Sequence, residues 1–157
     1  MPERSPYLEK SITESPIALV IVQHDGRRNA MTVSFFSEVS HHPTSLWVSL
    51  AKASLTHEMI DGSKKFSLIV LHEKQAAIAQ MCGSVSGRSV DKCATLPLTA
   101  HGDHLFLDGA LANIACEVTG TLEAGDHTIF LANILSGEIE TLNTMRRHLL
   151  TVDLASA

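Results

Sequence analysis

The clearest signal for chemistry in this sequence is a segment, residues 82–92, that combines glycines, hydroxyl side chains and basic side chains. Its backbone N–H groups, its hydroxyls and the positive charges of Arg88 and Lys92 form a set of donors that binds phosphate. The segment is not a Walker A loop, since three residues separate Gly83 from Gly87 and an arginine takes the place of the lysine. It predicts either a phosphate-binding loop or a flexible loop in solvent.

A second candidate anion site is the predicted start of a helix at Ser54. Apolar residues recur near helical spacing from Leu55 to Ile60, and Gly62 is expected to end the helix. The first N–H groups of a helix are unpaired and lie at the positive end of its dipole, so an anion is favoured there, and Thr56 adds a hydroxyl. Ordinary N-capping by Ser54 is the simpler interpretation of this motif taken alone.

The segment 29–34 alternates between two faces if it forms a strand. Its faces consist of alternate residues, with Ala30, Thr32 and Ser34 on one and Asn29, Met31 and Val33 on the other. A face of small side chains lets a planar ligand approach the backbone closely. An edge strand whose hydroxyls meet water is the alternative interpretation.

Nine histidines and three cysteines raise the question of a metal site. The neighbours His41 and His42 would point to opposite faces of a strand, and the pair His101 and His104 is typical of a solvated loop. The cysteines lack the spacing of zinc ligands and form no CxxC, which predicts small buried thiols in a reducing compartment. We therefore expect no metal site, and no GxSxG motif marks a nucleophile.

Composition limits the classes of partner. The chain has 157 residues, 45% of them hydrophobic and 18% charged, which predicts one folded domain over residues 1–157. A net charge of −5 with scattered basic residues argues against nucleic acid. Residues 1–15 lack the apolar core of a secretory signal, and the apolar run 17–22 is too short to span a membrane. We expect a soluble cytoplasmic protein with no nucleic acid and no membrane partner.

The pattern of elements predicts a mostly antiparallel β-barrel. Short β-branched runs predict strands, at 17–22, 30–39, 45–50, 66–71, 105–107, 110–121 and 127–139. Helices are predicted at 54–62 and 75–81, a long loosely structured loop at 83–103, and a short helix somewhere after Thr141. The first three strands follow one another without a helix, which excludes a parallel α/β sheet.

Several short segments between Pro16 and Ile134 follow one another in a distinctive order. They are 29–34 (NAMTVS), Pro43 before 46–50 (LWVSL), 56–60 (THEMI), 82–83 (CG), 86–88 (SGR), 91–92 (DK) and 125–127 (GDH). In this order and approximate spacing they resemble the flavin reductase-like family, the FMN-binding split barrels of the flavoredoxin and NAD(P)H:flavin oxidoreductase type.

The resemblance implies a mostly β, Greek-key-like split β-barrel with short helices, which binds FMN, or FAD in its place, near the interface of a homodimer. The implied flavin contacts are Asn29, Ala30, Met31 and Thr32 at the ring, Ser49, Leu50 and Ala51 at the ring or ribityl chain, Ser54 and Thr56 at the phosphate, and Ser86, Gly87, Arg88 and Lys92 over the phosphate and ribityl end. His127 is the implied catalytic residue, near the reactive face of the flavin. Many relatives have arginine where Ser54 stands and phenylalanine where Cys93 stands.

The implied activity is flavin reduction by NAD(P)H. No Rossmann fingerprint is present, so NAD(P)H would bind transiently as a co-substrate on the flavin. Electrons would then pass to an acceptor, a partner monooxygenase or an electron-transfer protein. The main alternative is a flavin-holding electron carrier without reductase activity. A haem or metal-binding barrel and a structural barrel without a chromophore are the others.

Overall fold

A computed structural model describes residues 14–140 and 146–155. The strands are β1 Ala18–His24, β2 Arg27–Val33, β3 Phe36–His41, β4 Thr44–Ala51, β5 Lys65–Val70, β6 Leu98–His101, β7 His104–Leu107, β8 Ala112–Ala124 and β9 His127–Ile139. The helices are α1 Leu55–Ser63, α2 Ala76–Ser84 and α3 Thr151–Ala155, with 3₁₀ turns at Glu73–Gln75 and Lys92–Thr95. No helix in the described ranges is long and apolar enough to cross a membrane.

Seven strands form one sheet in the order β2-β1-β5-β8-β9-β4-β3, and every pairing is antiparallel. The two outermost strands, β2 and β3, are joined by only two residues, so the sheet has to curl until its edges come close together. The chain passes from β4 through α1 to β5, three positions away in the sheet, which is the long connection of a Greek-key arrangement. The mostly β, antiparallel prediction is confirmed.

Apolar side chains pack on both faces of β1, which explains its uninterrupted hydrophobic run. Ala18, Val20 and Val22 face an inner core, inside the curl of the sheet, which α1 closes with Leu55, Met59 and Ile60. The alternate residues, Leu19 and Ile21, face an outer core beneath α2, β7 and the buried Leu149. β1 and β2 therefore separate two packed layers, and each strand positions side chains on both.

Helix α1 begins where the sequence predicts and ends later. The Ser54 hydroxyl accepts a hydrogen bond from the His57 backbone N–H at 3.1 Å, and Lys64 closes the helix in the left-handed region at φ 60°. Gly62, the predicted end, lies inside the helix. It lets His24 pack closely on the helix, because a Cβ there would lie 2.5 Å from Nε2 of His24.

Two other predictions were wrong in detail. The single strand expected at 30–39 is β2 and β3, because the chain turns between the two sheet edges at Ser34 and Phe35. The loop expected at 83–103 contains the second 3₁₀ turn and β6, which pairs with β7 in a separate hairpin. The Asn113 amide accepts from the Leu107 N–H at 2.8 Å and donates to the Leu107 carbonyl at 3.0 Å, which fixes the hairpin to β8.

The chain after β9 contributes a short segment to the outer core. The Leu149 carbonyl accepts from the Ile17 N–H at 2.7 Å, and the Leu149 N–H donates to the Leu71 carbonyl at 2.9 Å. Residues 148–150 therefore lie beside the start of β1 and the end of β5. Of the helix expected after Thr141, residues 141–145 lie outside the described residues, and α3 follows at 151–155.

Candidate functional site

A small cavity of about 190 Å³ lies where β2, the N-terminus of α1 and the segment 82–92 meet. It brings together most of the residues that the sequence nominated as flavin contacts: Asn29, Met31, Thr32, Ser54, Thr56, Ser86, Gly87, Arg88 and Lys92. Three regions that are far apart in the chain therefore converge on one site. The two candidate anion-binding motifs of the sequence, the loop and the helix start, both line this cavity.

Lys92 is the most unusual side chain in this cavity. It is 5% exposed, and its ammonium group donates to the Cys82 carbonyl at 2.7 Å. Within the described residues no carboxylate forms an ion pair with it, and burial lowers the pKa of its ammonium group. A buried cation without a counter-ion is costly. An anionic ligand in the cavity would provide the missing negative charge.

The hydroxyls of Ser54 and Thr56 have different roles at the start of α1. Ser54 Oγ donates to the Ala51 carbonyl at 2.8 Å and accepts from the His57 N–H, so its single hydrogen is already donated within the chain and its oxygen caps the helix. Thr56 is completely buried, and its Oγ1 accepts from the Asn29 side-chain amide at 2.9 Å. Its hydroxyl hydrogen has no acceptor in the described part of the chain, and can be donated to an anion.

Asn29 is the residue of β2 that contacts the segment 82–92 at the cavity. It is 2% exposed, and its Oδ1 has no hydrogen-bond partner among the described residues. Gly87 lies directly against this oxygen, because a Cβ on Gly87 would be 2.0 Å from it. Only glycine fits at this position. The orphaned carbonyl oxygen marks a place for a hydrogen-bond donor from a ligand.

Strand β2 offers its backbone to the cavity, because it is an edge of the sheet and pairs with β1 alone in the described chain. Half of the N–H and C=O groups of such a strand point away from its neighbour. Thr32 and Met31 line the cavity from this edge, whereas the Ala30 side chain is fully buried in the outer core. Ala30 can therefore meet a ligand only through its backbone.

Two ion pairs hold the segment 82–92 over the cavity. Arg88 contacts Glu58 of α1 at 3.0 Å, and Arg28 of β2 contacts Asp91 at 3.2 Å. All four side chains are at least 42% exposed, so each pair contributes little to stability. Nothing in the sequence links Glu58 to Arg88, because their contact depends on how the loop folds back onto α1.

His127 and the nominated residues of β4 lie outside this cavity. His127 begins β9 opposite Ala51 of β4, and its Nδ1 lies 2.7 Å from the carboxylate of Asp126. The exposed ring of Phe35 lies 5.8 Å from the imidazole. Ser49 and Ala51 are half-buried on β4, and the Leu50 side chain is fully buried in the inner core, so Leu50 can offer a ligand only backbone atoms.

An apolar groove of about 360 Å³ crosses β3, β4, β8 and β9 on the outer face of the sheet. Its lining includes Val39 and Leu122, which are 54% and 63% exposed, together with Trp47 and Leu131. A contiguous patch of exposed apolar side chains is typical of an interaction surface. The same strands β4 and β9 lead from this groove to Ala51 and His127.

A curled antiparallel sheet with a cationic cavity between its edge strand and a helix N-terminus defines a small β-barrel with a candidate anion site beside a strand edge that is unpaired in the described chain. The chain belongs to the family described as flavin reductase like domain, whose model matches residues 11–151. The resemblance drawn from the sequence motifs is thereby confirmed.

Named relatives agree with this family. The chain is 29% identical over 133 residues to the reductase component of a 4-nitrophenol 4-monooxygenase/4-nitrocatechol 2-monooxygenase of Rhodococcus opacus, with 83% of this chain and 69% of the relative covered. It is 30% identical over 110 residues to the NADH-dependent flavin reductase StyB of Pseudomonas fluorescens, covering 70% of this chain but only 62% of StyB. The structure of the NADH:FAD oxidoreductase SgcE6 of Streptomyces globisporus superposes with a TM-score of 0.84 at 22% identity, over 96% of this chain and 90% of SgcE6. This superposition confirms the split-barrel fold.

Proposed function

We propose that the protein is a flavin reductase that holds FMN with its phosphate in the cavity between β2, α1 and the segment 82–92. The observation that carries this proposal is Lys92, a buried cation with no carboxylate partner in the described chain, which lines the same cavity as the N-terminus of α1. The positive end of a helix and a buried ammonium group together favour a phosphate dianion. Thr56 and Arg88 add a hydroxyl donor and a guanidinium group.

The rest of the site fits the remainder of FMN. A cavity of about 190 Å³ is smaller than the ~300–1,000 Å³ of typical ligand pockets, so the flavin ring would lie outside it, along the edge of β2. The free N–H and C=O groups of that edge suit the polar rim of an isoalloxazine. The orphaned Oδ1 of Asn29 suits a ribityl hydroxyl, because it needs one donor.

When bound, the flavin supplies the redox chemistry, since it takes a hydride from a reduced nicotinamide and passes two electrons onward. The residues of this chain bind the phosphate and exclude water from it. His127 has the role of orienting the nicotinamide or the flavin edge, with Asp126 fixing the ring through Nδ1. Either NADH or NADPH is proposed as the hydride donor. A partner monooxygenase or another electron-transfer protein is the proposed acceptor.

The assembly that we propose for this protein is a homodimer of single-domain subunits. The apolar groove over Val39, Trp47 and Leu131 supports a second copy as its cover. Strands β4 and β9 run from this groove to Ala51 and His127, so dimerisation would place the partner beside these residues. The three buried, unpaired cysteines support a cytoplasmic, reducing location.

An absorption spectrum of the purified protein, before and after addition of FMN and then of anaerobic NADH or NADPH, tests the proposal. We expect flavin absorption bands that remain after gel filtration or that increase to saturation as FMN is added. We also expect either nucleotide to bleach these bands. Bands that do not bleach would make the protein a carrier of electrons instead. A protein that takes up no flavin even at high FMN would overturn the proposal.

Variants separate binding from reduction. Thr56→Ala and Arg88→Ala are expected to weaken FMN binding about tenfold each, which corresponds to about 1.4 kcal/mol. His127→Ala is expected to leave FMN binding unchanged and to slow flavin reduction, with His41→Ala as the control at an exposed histidine. Stopped-flow reduction at saturating FMN measures this step. Equal rates in wild type and His127→Ala would contradict the role given to His127.

A further inference from the structure

His57 of helix α1 directly follows Thr56, and the function proposed above gives it no role. Its ring lies against β9 rather than in the phosphate cavity, with Nε2 2.8 Å from Thr128 Oγ1. The ring also meets the ring of Phe130 edge-on, with the two centroids 5.1 Å apart. The His57 side chain is only 14% exposed. These contacts hold the imidazole in one orientation between the helix and the strand.

The hydrogen bond between His57 and Thr128 joins the two halves of the proposed site. His57 is the neighbour of Thr56, whose hydroxyl is proposed to meet the phosphate, and Thr128 is the neighbour of His127 on β9. Thr128 is 3% exposed, so water competes little for its hydroxyl. This bond therefore ties the start of α1 to the start of β9 from outside the phosphate cavity.

The direction of this hydrogen bond follows from a second partner of Thr128. Thr128 pairs across the strands with Glu123 of β8. The pKa of the Glu123 carboxyl is lowered, mainly by Lys52 and in smaller part by a hydrogen bond from the Thr128 hydroxyl. A hydroxyl has only one hydrogen to donate. His57 Nε2 therefore carries a proton and donates it to Thr128 Oγ1.

A second side-chain link between the same parts of the fold is weaker. Lys52, between β4 and α1, forms an ion pair with Glu123 near the β8–β9 turn, and these side chains are 41% and 71% exposed. Water and salt screen such exposed pairs, so they contribute little. The shielded bond of His57 is therefore the stronger of the two links, and it acts on the helix itself.

We propose that His57 is a positioning residue, which acts through Thr128 to hold His127 in place relative to the phosphate-binding end of α1. The inference rests on the proposed function, because it needs the phosphate at Thr56 and the role of His127. Hydride transfer requires aligned reacting atoms, and a misplacement of about 1 Å can cost about 100-fold in rate. Without the bond, the start of β9 shifts relative to a flavin that is held by its phosphate. FMN still binds, and its reduction slows.

The test compares substitutions that remove or keep the donor at His57. Leucine has no hydrogen-bonding group, whereas the side-chain amide of glutamine offers an N–H donor at similar reach. His57→Leu is expected to lower the rate constant of flavin reduction about 10- to 100-fold at saturating FMN and NADH, and to leave the dissociation constant of FMN within about threefold. His57→Gln is expected to restore most of the rate. Stopped-flow spectroscopy measures the rate, and fluorescence titration measures the affinity.

A matched control separates positioning from a general loss of stability. His104 on β7 is also a buried histidine, and its Nε2 donates to the Cys116 carbonyl at 3.0 Å outside the phosphate cavity. His104→Leu is expected to lower the melting temperature and to leave the rate of flavin reduction unchanged. If His57→Leu does not fold, Thr128→Val and Thr128→Ser make the same comparison, since serine keeps the hydroxyl and valine removes it.

Two results would overturn the inference: a His57→Leu protein that reduces flavin as fast as wild type, or a His57→Gln protein that is as slow as His57→Leu. The double variant His57→Leu/Thr128→Val should lose no more rate than either single variant, because each removes the same bond, and additive losses would also overturn the inference. These outcomes leave the proposed function intact, because wild type still binds and reduces FMN. A wild-type protein that takes up no FMN would overturn the proposed function and the inference together.

Discussion

Replacement of Lys92 by methionine separates the cost of its buried charge from its benefit. Methionine is unbranched and of similar length, so Lys92→Met removes the ammonium group with little change in packing. The flavin-free protein is expected to be as stable as wild type or more stable, because the buried cation has only the Cys82 carbonyl as a partner in the described chain. Flavin binding is expected to weaken sharply.

The size of that loss follows from the contact proposed for Lys92. A hydrogen bond between a charged donor and a phosphate in a buried site is worth about 1.5–3 kcal/mol. Since about 1.4 kcal/mol is a factor of ten in affinity, the dissociation constant for FMN should rise about 10- to 150-fold. Fluorescence titration with FMN measures the affinity, and urea unfolding of the flavin-free protein measures the stability.

The effect of pH gives an independent check. Burial lowers the pKa of Lys92 in the folded protein from its usual 10.5, so the unfolded chain binds the extra proton between these two values. The stability of the flavin-free protein should therefore rise as pH rises through the folded pKa, and this rise should vanish in Lys92→Met. FMN affinity should move the opposite way, because the phosphate requires the charged form. Lys74→Met is the control, and an unchanged FMN affinity in a folded Lys92→Met protein would refute the reasoning.

Two further substitutions test the supports of the site and of the sheet. Gly87→Ala should weaken FMN binding about tenfold, because its Cβ would lie 2.0 Å from Asn29 Oδ1 and push the loop away from the cavity; an unchanged dissociation constant would show that the loop adapts. Asn113→Ala should lower the free energy of unfolding by about 2–4 kcal/mol, since it leaves the buried Leu107 N–H and carbonyl unpaired. Urea unfolding measures this loss, and Asn133→Ala on β9 is the control. Equal losses in both variants would contradict the stabilising role given to the two hydrogen bonds between Asn113 and Leu107.

The sequence predicted elements wherever local pattern decides the structure. β1 was recognisable because both of its faces are buried, and α1 because Ser54 caps it. The limits of elements that depend on distant contacts were not predictable. Gly62 lies inside α1 rather than at its end, and His24, at the end of β1, packs against it. The break between β2 and β3 follows from the closure of the sheet, which no window of residues encodes.

The candidate site shows the same division. The hydroxyl, glycine and basic residues of the segment 82–92 indicated phosphate from their types alone, and the helix start indicated it independently. Their convergence on one cavity came from the fold. The partners that give these residues their properties, such as Glu58 for Arg88 and Asn29 for Thr56, lie about 30 residues away in the chain, and no sequence pattern links the members of either pair.

Several groups that lack a partner in the described structure lie where three elements meet. Lys92 is a buried charge without a counter-ion, Asn29 Oδ1 lacks a donor, Thr56 holds a hydroxyl hydrogen without an acceptor, and β2 exposes an unpaired edge. Each of these features costs stability by itself. One ligand with a phosphate, a chain of hydroxyls and a planar polar ring would offer a partner to each of them. The strand edge that the curled sheet leaves open is therefore the feature on which the proposed flavin site depends.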